Sequence, residues 1–493
     1  MLKKGKNMAY FDNGVTTDYD AAGIATEQAA SIEKALAAGY GSNPSEFAGG
    51  RALIPEDLES TLTNILASTK NDCKMFASLH PQPVKSTVHE IVRRTGYGDH
   101  RFNFVGEGEE AREDNQELER KLYETKYLAT IGSVTRQMEL VSSLEDAYES
   151  EKIAAVNRIA QNAEFAIFKG NSTVVPKEFD GFEKVIRDSA ENDGAVLVDL
   201  HGMEIGETTT DTDFEVQDAG EGMLDDIATK VFEKGGDLDR ALFPPILAKQ
   251  FKKFYSDRLR FNTGDNKITF NELPDIVTAT GSSIRIQGKD AGADKLYVVK
   301  GKVSAAGNAS KRPNAPLTVA ATVNASDSDS RFYSSDAGEY TYVVHAINAA
   351  GISSGTAITT SVTVAAGGSV TLTITPDTNG NVPTGYVITR TNAGGSVVME
   401  QTSIAADGTN AVEWTDTNKY LPGTASMILL TSQDSMGKNA FSFGSLLPIS
   451  STPLPIERSL NKPFVVSMYG MLEVRDPEHQ AMIDNIGYTG GLY

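Results

Sequence analysis

From Leu144 to Ile167 the apolar residues recur at steps of three to five positions: Leu144, Tyr148, Ile153, Val156, Ala160, Ala163 and Ile167. That spacing lines one face of an α-helix and predicts a helix over about 143–169. Ser142 and Ser143 stand before Leu144, with Glu145 and Asp146 three residues on from each, a capping-box pattern. Gly170 follows as a natural terminator. About 26 residues at 1.5 Å each make a rod of roughly 39 Å, apolar along one face only. Such a helix commonly lies across a sheet. Before it, STVHEIVRR (86–94) and KLYETKYLATIGSV (121–134) read as strands around the acidic stretch GEGEEAREDNQELE (106–119). Together they predict a long, charged β-hairpin that cannot bury itself against its own chain. After the helix come further helix patterns (Met223–Glu233, Pro245–Tyr255), strands around Ile276–Ile286, and a clean alternation from Phe464 to Val474.

Between about 301 and 430 the pattern changes to period two. Tyr340, Tyr342, Val344 and Ala346 alternate with Thr341, Val343, His345 and Ile347; Val370, Leu372 and Ile374 alternate with Thr371, Thr373 and Thr375. Half-buried strands have this spacing. Turn signals separate them: Asn348–Gly351, Pro376–Gly380, Asn392–Gly395 and Asp407-Gly408. About seven strands at this spacing, with no helical stretch, suggest a β-sandwich. The run YTYVVHAINAAGISS (340–354) resembles the Tyr-x-Tyr-x-Val-x-Ala-x-Asn-x-x-Gly strand and turn of fibronectin type III modules, and PTGYVITRTNAGG (383–395) resembles another of their strands. Their order here is the reverse of the usual one, so the reading is an immunoglobulin-like or fibronectin-like sandwich, permuted or not.

Charge sharpens this boundary. Lys plus Arg total 45 and Asp plus Glu 66, a formal net charge of −21 in 493 residues. The 301–430 window holds about 6 basic and 9 acidic residues, and residues 340–376 carry no Asp, Glu, Lys or Arg. Its share is therefore about −3, and nearly all the acidity lies in the flanks. A composition that shifts and then returns reads as an inserted domain, over about 303–428. The acidity argues against a dedicated DNA- or anionic-membrane-binding surface. No stretch is long and apolar enough to span a membrane, and MLKKGKNMAYFDNG lacks the apolar run of a secretory signal. The single cysteine, Cys73, excludes an intramolecular disulfide and a cysteine zinc cluster and points to synthesis in a reducing cytoplasm.

Chemical motifs are sparse. Gly351–Gly355 fits G-x-S-x-G, but that motif needs a strand-to-helix turn, and a turn between strands is the expected reading. Asp377, Asn379 and Asn381 have the 1-3-5 spacing of a calcium loop, with glycine at position 4 rather than 6 and Ile388 where the closing Glu belongs. A plain turn is expected there, and a solvated loop at Asp327 and Asp329. The six histidines (His80, His89, His100, His201, His345, His479) lack the i, i+4 partner of a helical zinc site. Cys73 reads as a small core residue. No catalytic, cofactor-binding or metal-ligating residue is expected, and the chain does not read as an enzyme. The acidic stretch Glu107–Glu119 is either a solvated loop or a partner for basic residues of a neighbour, such as Arg93, Arg94 and Arg101. Lys3, Lys4 and Lys6 read as a floppy terminus, or as an internal contact to DNA or a neighbour.

The succession GGRALIPEDLESTL (49–62), the helix ending EFAIFKGNSTVVPKEFDGF (164–182) and YGMLEVRDPEHQAMIDNIG (469–487) resembles major capsid proteins of tailed bacteriophages, which share the Hong Kong 97 capsid fold. The resemblance covers about 360 residues, everything outside the insertion. It implies an α+β fold: an N-terminal arm at 1–52, a first core part at 53–302, the inserted sandwich at 303–428 and a second core part at 429–493. Within the first part lie an extended loop at about 84–136, a spine helix at about 143–169 and an axial domain from about 215. It further implies a structural protein that self-assembles into hexamers and pentamers of an icosahedral shell around double-stranded DNA. Portal and possible decoration proteins are the other implied partners, and DNA is enclosed without sequence-specific contact. An acidic wall would let packaged phosphates slide. The insertion would be displayed outside, as capsomer reinforcement or a weak adhesin. Only about 50 residues precede the first motif, too few for a large scaffolding segment, so no N-terminal cleavage is expected. An encapsulin-type nanocompartment and a secreted adhesin or carbohydrate-binding protein are the rival readings. The absence of a secretory signal counts against the adhesin.

Overall fold

The computed structural model describes residues 73–79, 81–98, 104–111, 113–141, 146–254, 275–286, 292–293, 300–433, 437–455 and 460–488. The expected N-terminal arm, the 49–62 motif, Lys3, Lys4 and Lys6, His80, His100, Arg101 and the Ser142/Ser143 cap lie outside these residues.

A five-stranded mixed sheet forms one centre of the fold. Its strands run in the order Val196–Asp199, Ala481–Ile486, Ala425–Leu430, Arg240–Phe243, Gly292–Ala293. Alternate residues of its longer strands feed different cores. Ala241, Phe243, Met427, Leu429, Ala481 and Ile483 join one cluster with helices Glu221–Glu233 and Pro245–Phe254. Leu242, Ile428, Leu430 and Met482 join the other. Both faces are buried, so these strands read as continuous apolar runs without a period. The strand Ala425–Leu430, whose first residues fall inside the expected 303–428 window, pairs in this sheet. Val196–Asp199, ahead of the expected 215, is its edge strand.

The second cluster lies between a four-stranded sheet and the long helix. The sheet order is Pro81–Pro83, Phe441–Pro453, Asn461–Val474, Lys126–Thr135. The helix runs Ala147–Lys169, 23 residues or roughly 35 Å. It starts later than the serine pattern predicts, because the Asp146 carboxylate accepts the Tyr148 N–H at 2.9 Å and caps it there. Ala155, Ile159, Ala163, Ala166, Ile167 and Phe168 form its buried face, whereas Ile153, expected on that face, is exposed. Gly170 ends it in ordinary extended backbone. A Cβ there would meet the carbonyl oxygens of Phe179 and Ala166 at 2.3 and 2.4 Å. Close approach of two segments of the chain, not a left-handed turn, demands the glycine.

Residues 306–416 build a separate pair of sheets. One has the order Ala306–Gly307, Gly351–Ala357, Tyr342–Asn348, Gly385–Arg390, Met399–Ala405; the other has Thr318–Asn324, Ser369–Thr375, Val412–Asp416. With the pair Gly338–Tyr340 and Val362–Val364 this makes ten strands among the described residues, not seven, beside one short 3-10 turn at Ser334–Asp336. The two sheets share one apolar core containing Tyr340, Tyr342, Val344, Ala346, Val370, Leu372 and Ile374, the residues the period-two pattern selects, together with Ile388.

One buried carboxyl group ties the long helix to the short helix Lys74–Ser78. Glu164 is fully buried, and its carboxylate accepts the backbone N–H groups of Met75 and Phe76 at 2.9 and 2.6 Å. These are donors that a helix start leaves without an intrahelical partner. Glu164→Ala should strand both, lowering the stability of the unassembled subunit by roughly 1–3 kcal/mol. Thermal and urea unfolding followed by circular dichroism should show this loss, and a smaller one for Glu164→Gln, which keeps an acceptor oxygen.

Candidate assembly surfaces

The predicted hairpin forms from Val88–Gly96 and Glu117–Glu124, paired antiparallel from Val88↔Glu124 to Gly96↔Glu117. The sequence run 121–134 is divided at Thr125: its second half, Lys126–Thr135, pairs with Asn461–Val474 in the four-stranded sheet. The hairpin is therefore shorter than the expected 84–136 loop.

Its two faces differ, as period two requires. Odd-numbered residues lean on the chain's own core. The Tyr123 hydroxyl donates to the Val474 carbonyl, Arg93 Nη1 donates to the Arg475 carbonyl at 3.3 Å, and His89 Nε2 lies 3.8 Å from Glu473. Burial pushes the Tyr123 phenol well above its ordinary pKa, so this anchor stays protonated. Even-numbered residues face outward, with Val88, Val92, Leu118 and Leu122 each 42–59% exposed. Charged side chains alternate with them, and Arg120 and Glu90 pair at 3.4 Å. Towards the tip, Tyr97, Phe104 and Val105 are also exposed.

The acidic stretch thus has a partner within its own chain. Glu119 pairs with Arg93 at 2.6 Å, where the sequence left a solvated loop or a neighbour's arginine as the alternatives. Glu107, Glu109, Glu110, Glu113 and Glu117 are exposed.

A second open surface is the face of the four-stranded sheet turned away from the long helix. Tyr127 and Ile131 are exposed there, with the Tyr127 ring edge-on to Tyr469 at 4.8 Å. The adjoining helix Arg136–Val141 adds exposed Met138, Leu140 and Val141. Exposed apolar positions of this density are the kind that become buried when chains associate.

The root of the paired sheets meets the core through charged and polar groups. Lys169, last residue of the long helix, pairs with Glu400 at 3.0 Å. Arg331 reaches Asp199 at 2.7 Å, and His201 Nε2 lies 2.7 Å from Asp336. Within the core beside this root, Arg187 holds Asp484 at 2.6 Å and Glu183 at 3.0 Å. Burial alone would raise the Asp484 pKa. Arg187, Lys300 and the Ser426 hydroxyl outweigh it and hold the carboxyl well below the usual range. Glu164, Lys300, Asp484 and Asn485 escaped the sequence reading, although a polar pair inside the apolar run AMIDNI was a visible signal.

The chemical motifs take structural roles. Ser353 of the G-x-S-x-G run lies in a strand rather than a turn. Its hydroxyl is buried, accepts the Ala346 N–H at 2.9 Å and donates to the Ser354 carbonyl at 2.8 Å. Asp377 accepts Asn379 N–H and Asn314 Nδ2, and Asn381 donates to the carbonyls of Ser310 and Arg312. Asp327 accepts the Asp329 N–H in an exposed loop. His345 is buried, with Nδ1 3.1 Å from the Ser353 carbonyl, and His479 Nε2 lies 2.9 Å from the Lys234 carbonyl. Cys73 is buried at the start of the short helix. Among the described residues no group of three or more His, Cys, Asp or Glu is placed to hold a metal ion, and no helix is long and apolar enough to cross a membrane.

Comparison with solved structures finds distant likenesses. The capsid of the native GTA particle is 10% identical at a TM-score of 0.43, covering 91% of this chain and 100% of that one. A structure from Gordonia phage Cozz is 9% identical at 0.42, covering 91% and 97%. The SrpI encapsulin of Synechococcus elongatus PCC 7942 is 13% identical at 0.36, covering 90% and 97%. No curated protein matches. A family model described as the SU10 major capsid protein matches residues 39–300, just over half of the chain, and stops where the composition changes. This chain belongs to the SU10 major capsid protein family.

Proposed function

We propose that this capsid protein assembles with copies of itself into hexamers and pentamers of an icosahedral shell enclosing the double-stranded DNA of a tailed bacteriophage. The observation that carries the assembly mechanism is the two-faced hairpin. One face is fixed to the core by Tyr123 and Arg93, while the other offers Val88, Val92, Leu118 and Leu122 to a partner. A second copy of the chain is the partner whose repeated contacts build a closed shell, each modest and many in number. The exposed sheet face at Tyr127 and Ile131 and the helix Arg136–Val141 extend that contact.

The sheets of residues 306–416 are an immunoglobulin-like insertion, running from about 301 to 424 and displayed on the outer surface of the shell. The chain leaves the core at Lys300 and returns at Thr424, and these two residues share a backbone hydrogen bond of 3.0 Å, the arrangement an inserted module needs. The acidic flanks form a wall that encloses DNA without gripping it; a strongly positive inner surface in the assembled particle would contradict that. Portal and decoration proteins complete the head. The subunit is made in the host cytoplasm and ends in the virion, and its work is structural rather than catalytic.

Two experiments test this reading. Purified full-length protein should assemble into particles of megadalton mass, seen by light scattering and electron microscopy, and particles from infected cells should contain double-stranded DNA. Particles filled with protein cargo and free of nucleic acid would point instead to a compartment, and a monomer under all conditions to an adhesin. The double variant Leu118→Asp/Leu122→Asp should keep its circular dichroism spectrum, because both side chains are exposed in the subunit. Burying a carboxylate without a partner costs several kcal/mol, and about 1.4 kcal/mol is tenfold in an association constant. The assembled fraction should therefore fall at least roughly tenfold; unchanged assembly would remove the hairpin from the mechanism.

A further inference from the structure

At the root of the sandwich a buried amine meets a side-chain amide. Lys300 is 5% exposed and Asn485 1%. Lys300 Nζ donates to Asn485 Oδ1 at 2.8 Å. The same oxygen accepts the Leu421 N–H at 3.0 Å, with Thr424 Oγ1 at 3.5 Å. The amide nitrogen donates to Asp199 Oδ1 at 2.8 Å and to the Lys419 carbonyl at 2.9 Å. A second carboxylate, Asp484 Oδ1, lies 3.5 Å from the amine. Consecutive strand residues ordinarily point to opposite faces. Asn485, however, has a φ of 51°, and both it and Asp484 reach Lys300.

We propose that Lys300 and Asn485 become joined by an intramolecular isopeptide bond. Each part of the reaction has a group in place. The Lys300 amine is held against the amide it would attack, which supplies the orientation that makes such reactions fast. Donors on Oδ1 polarise the carbonyl and stabilise charge that develops on the oxygen. Burial and the nearby Arg187 pull the lysine towards its neutral, nucleophilic form, against the opposing effect of Asp484. Asp484 is ionised and beside the amine, where it can accept a proton. Asp199 accepts a hydrogen bond from the nitrogen that must leave.

The step balances without any co-reactant. Lys300 Nζ forms a bond to Asn485 Cγ, and the bond from Cγ to Nδ2 breaks. Two protons of the lysine ammonium pass by way of the carboxylates to the departing nitrogen, which leaves as ammonium. The third stays on the new secondary amide. Charge is conserved and nothing is oxidised or reduced.

The position gives the bond a mechanical meaning. Lys300 begins the segment that carries the sandwich, and Asn485 lies in Ala481–Ile486, next to the central strand of the five-stranded sheet. Pull on the sandwich from its N-terminal side would pass through the bond directly into that sheet. The segment ahead of Lys300 would carry none of it. The reaction takes place within one chain and does not depend on shell formation.

Mass spectrometry of the full-length chain, in the free subunit and in particles, tests the proposal. The expected chain is lighter by the mass of one ammonia. Its tryptic digest should hold a branched peptide joining the segment around Lys300 to that around Asn485. Lys300→Arg keeps the positive charge but lacks the amine, and should restore full mass and release both peptides. Should that variant fail to fold, Asn485→Gly, which suits the left-handed backbone, serves the same purpose. A wild-type chain of full mass that trypsin cuts after Lys300 overturns the proposal, as does loss of ammonia without a branched peptide.

Discussion

The strand Ala425–Leu430 is the element on which the rest of the fold depends. It lies between Arg240–Phe243, far earlier in the chain, and Ala481–Ile486, near its end. Every one of its residues is buried, with alternate side chains serving the two main cores. The five-stranded sheet cannot close until the chain has returned from the sandwich. Whatever lies between must therefore leave and come back at one place, which the Lys300–Thr424 backbone bond marks.

That constraint explains why polar groups gather at the root. The module leaves and rejoins the core at Lys300 and Thr424, whose backbones are hydrogen-bonded, and beside that point charged side chains reach across. Ion pairs such as Arg331–Asp199 and Lys169–Glu400 join it to the core. Partly exposed pairs of this kind contribute little net stability. The hairpin follows the opposite rule. Its anchored face holds to the core through polar groups, and its open face carries valines and leucines.

Much of this was legible in the sequence where one face is wet and the other dry. Val370, Leu372 and Ile374 alternate with threonines because only one side of their strand meets the core, and the sandwich was readable from that alone. The long helix was readable for the same reason, though its start moved to Asp146, since capping is decided by which side chain reaches the first free N–H. Ala425–Leu430 was not readable as part of the core: a strand buried on both faces has no period, and composition assigned it to the insertion. The division at Thr125 was invisible as well. Nothing in KLYETKYLA marks a break, and only the distant strand Asn461–Val474 draws the second half away. Lys300 and Asn485 lie 185 positions apart, and no local pattern announces their contact.

Hydrogen exchange in free subunits and in assembled shells offers the most direct test of hairpin-mediated assembly. If copies pack through the hairpin, amides of 88–96 and 117–124 should gain protection on assembly. Those of 425–430 and 481–486, already central in a buried sheet, should hardly change. Equal exchange of the hairpin in both states, with protection gained elsewhere, would contradict the assembly mechanism.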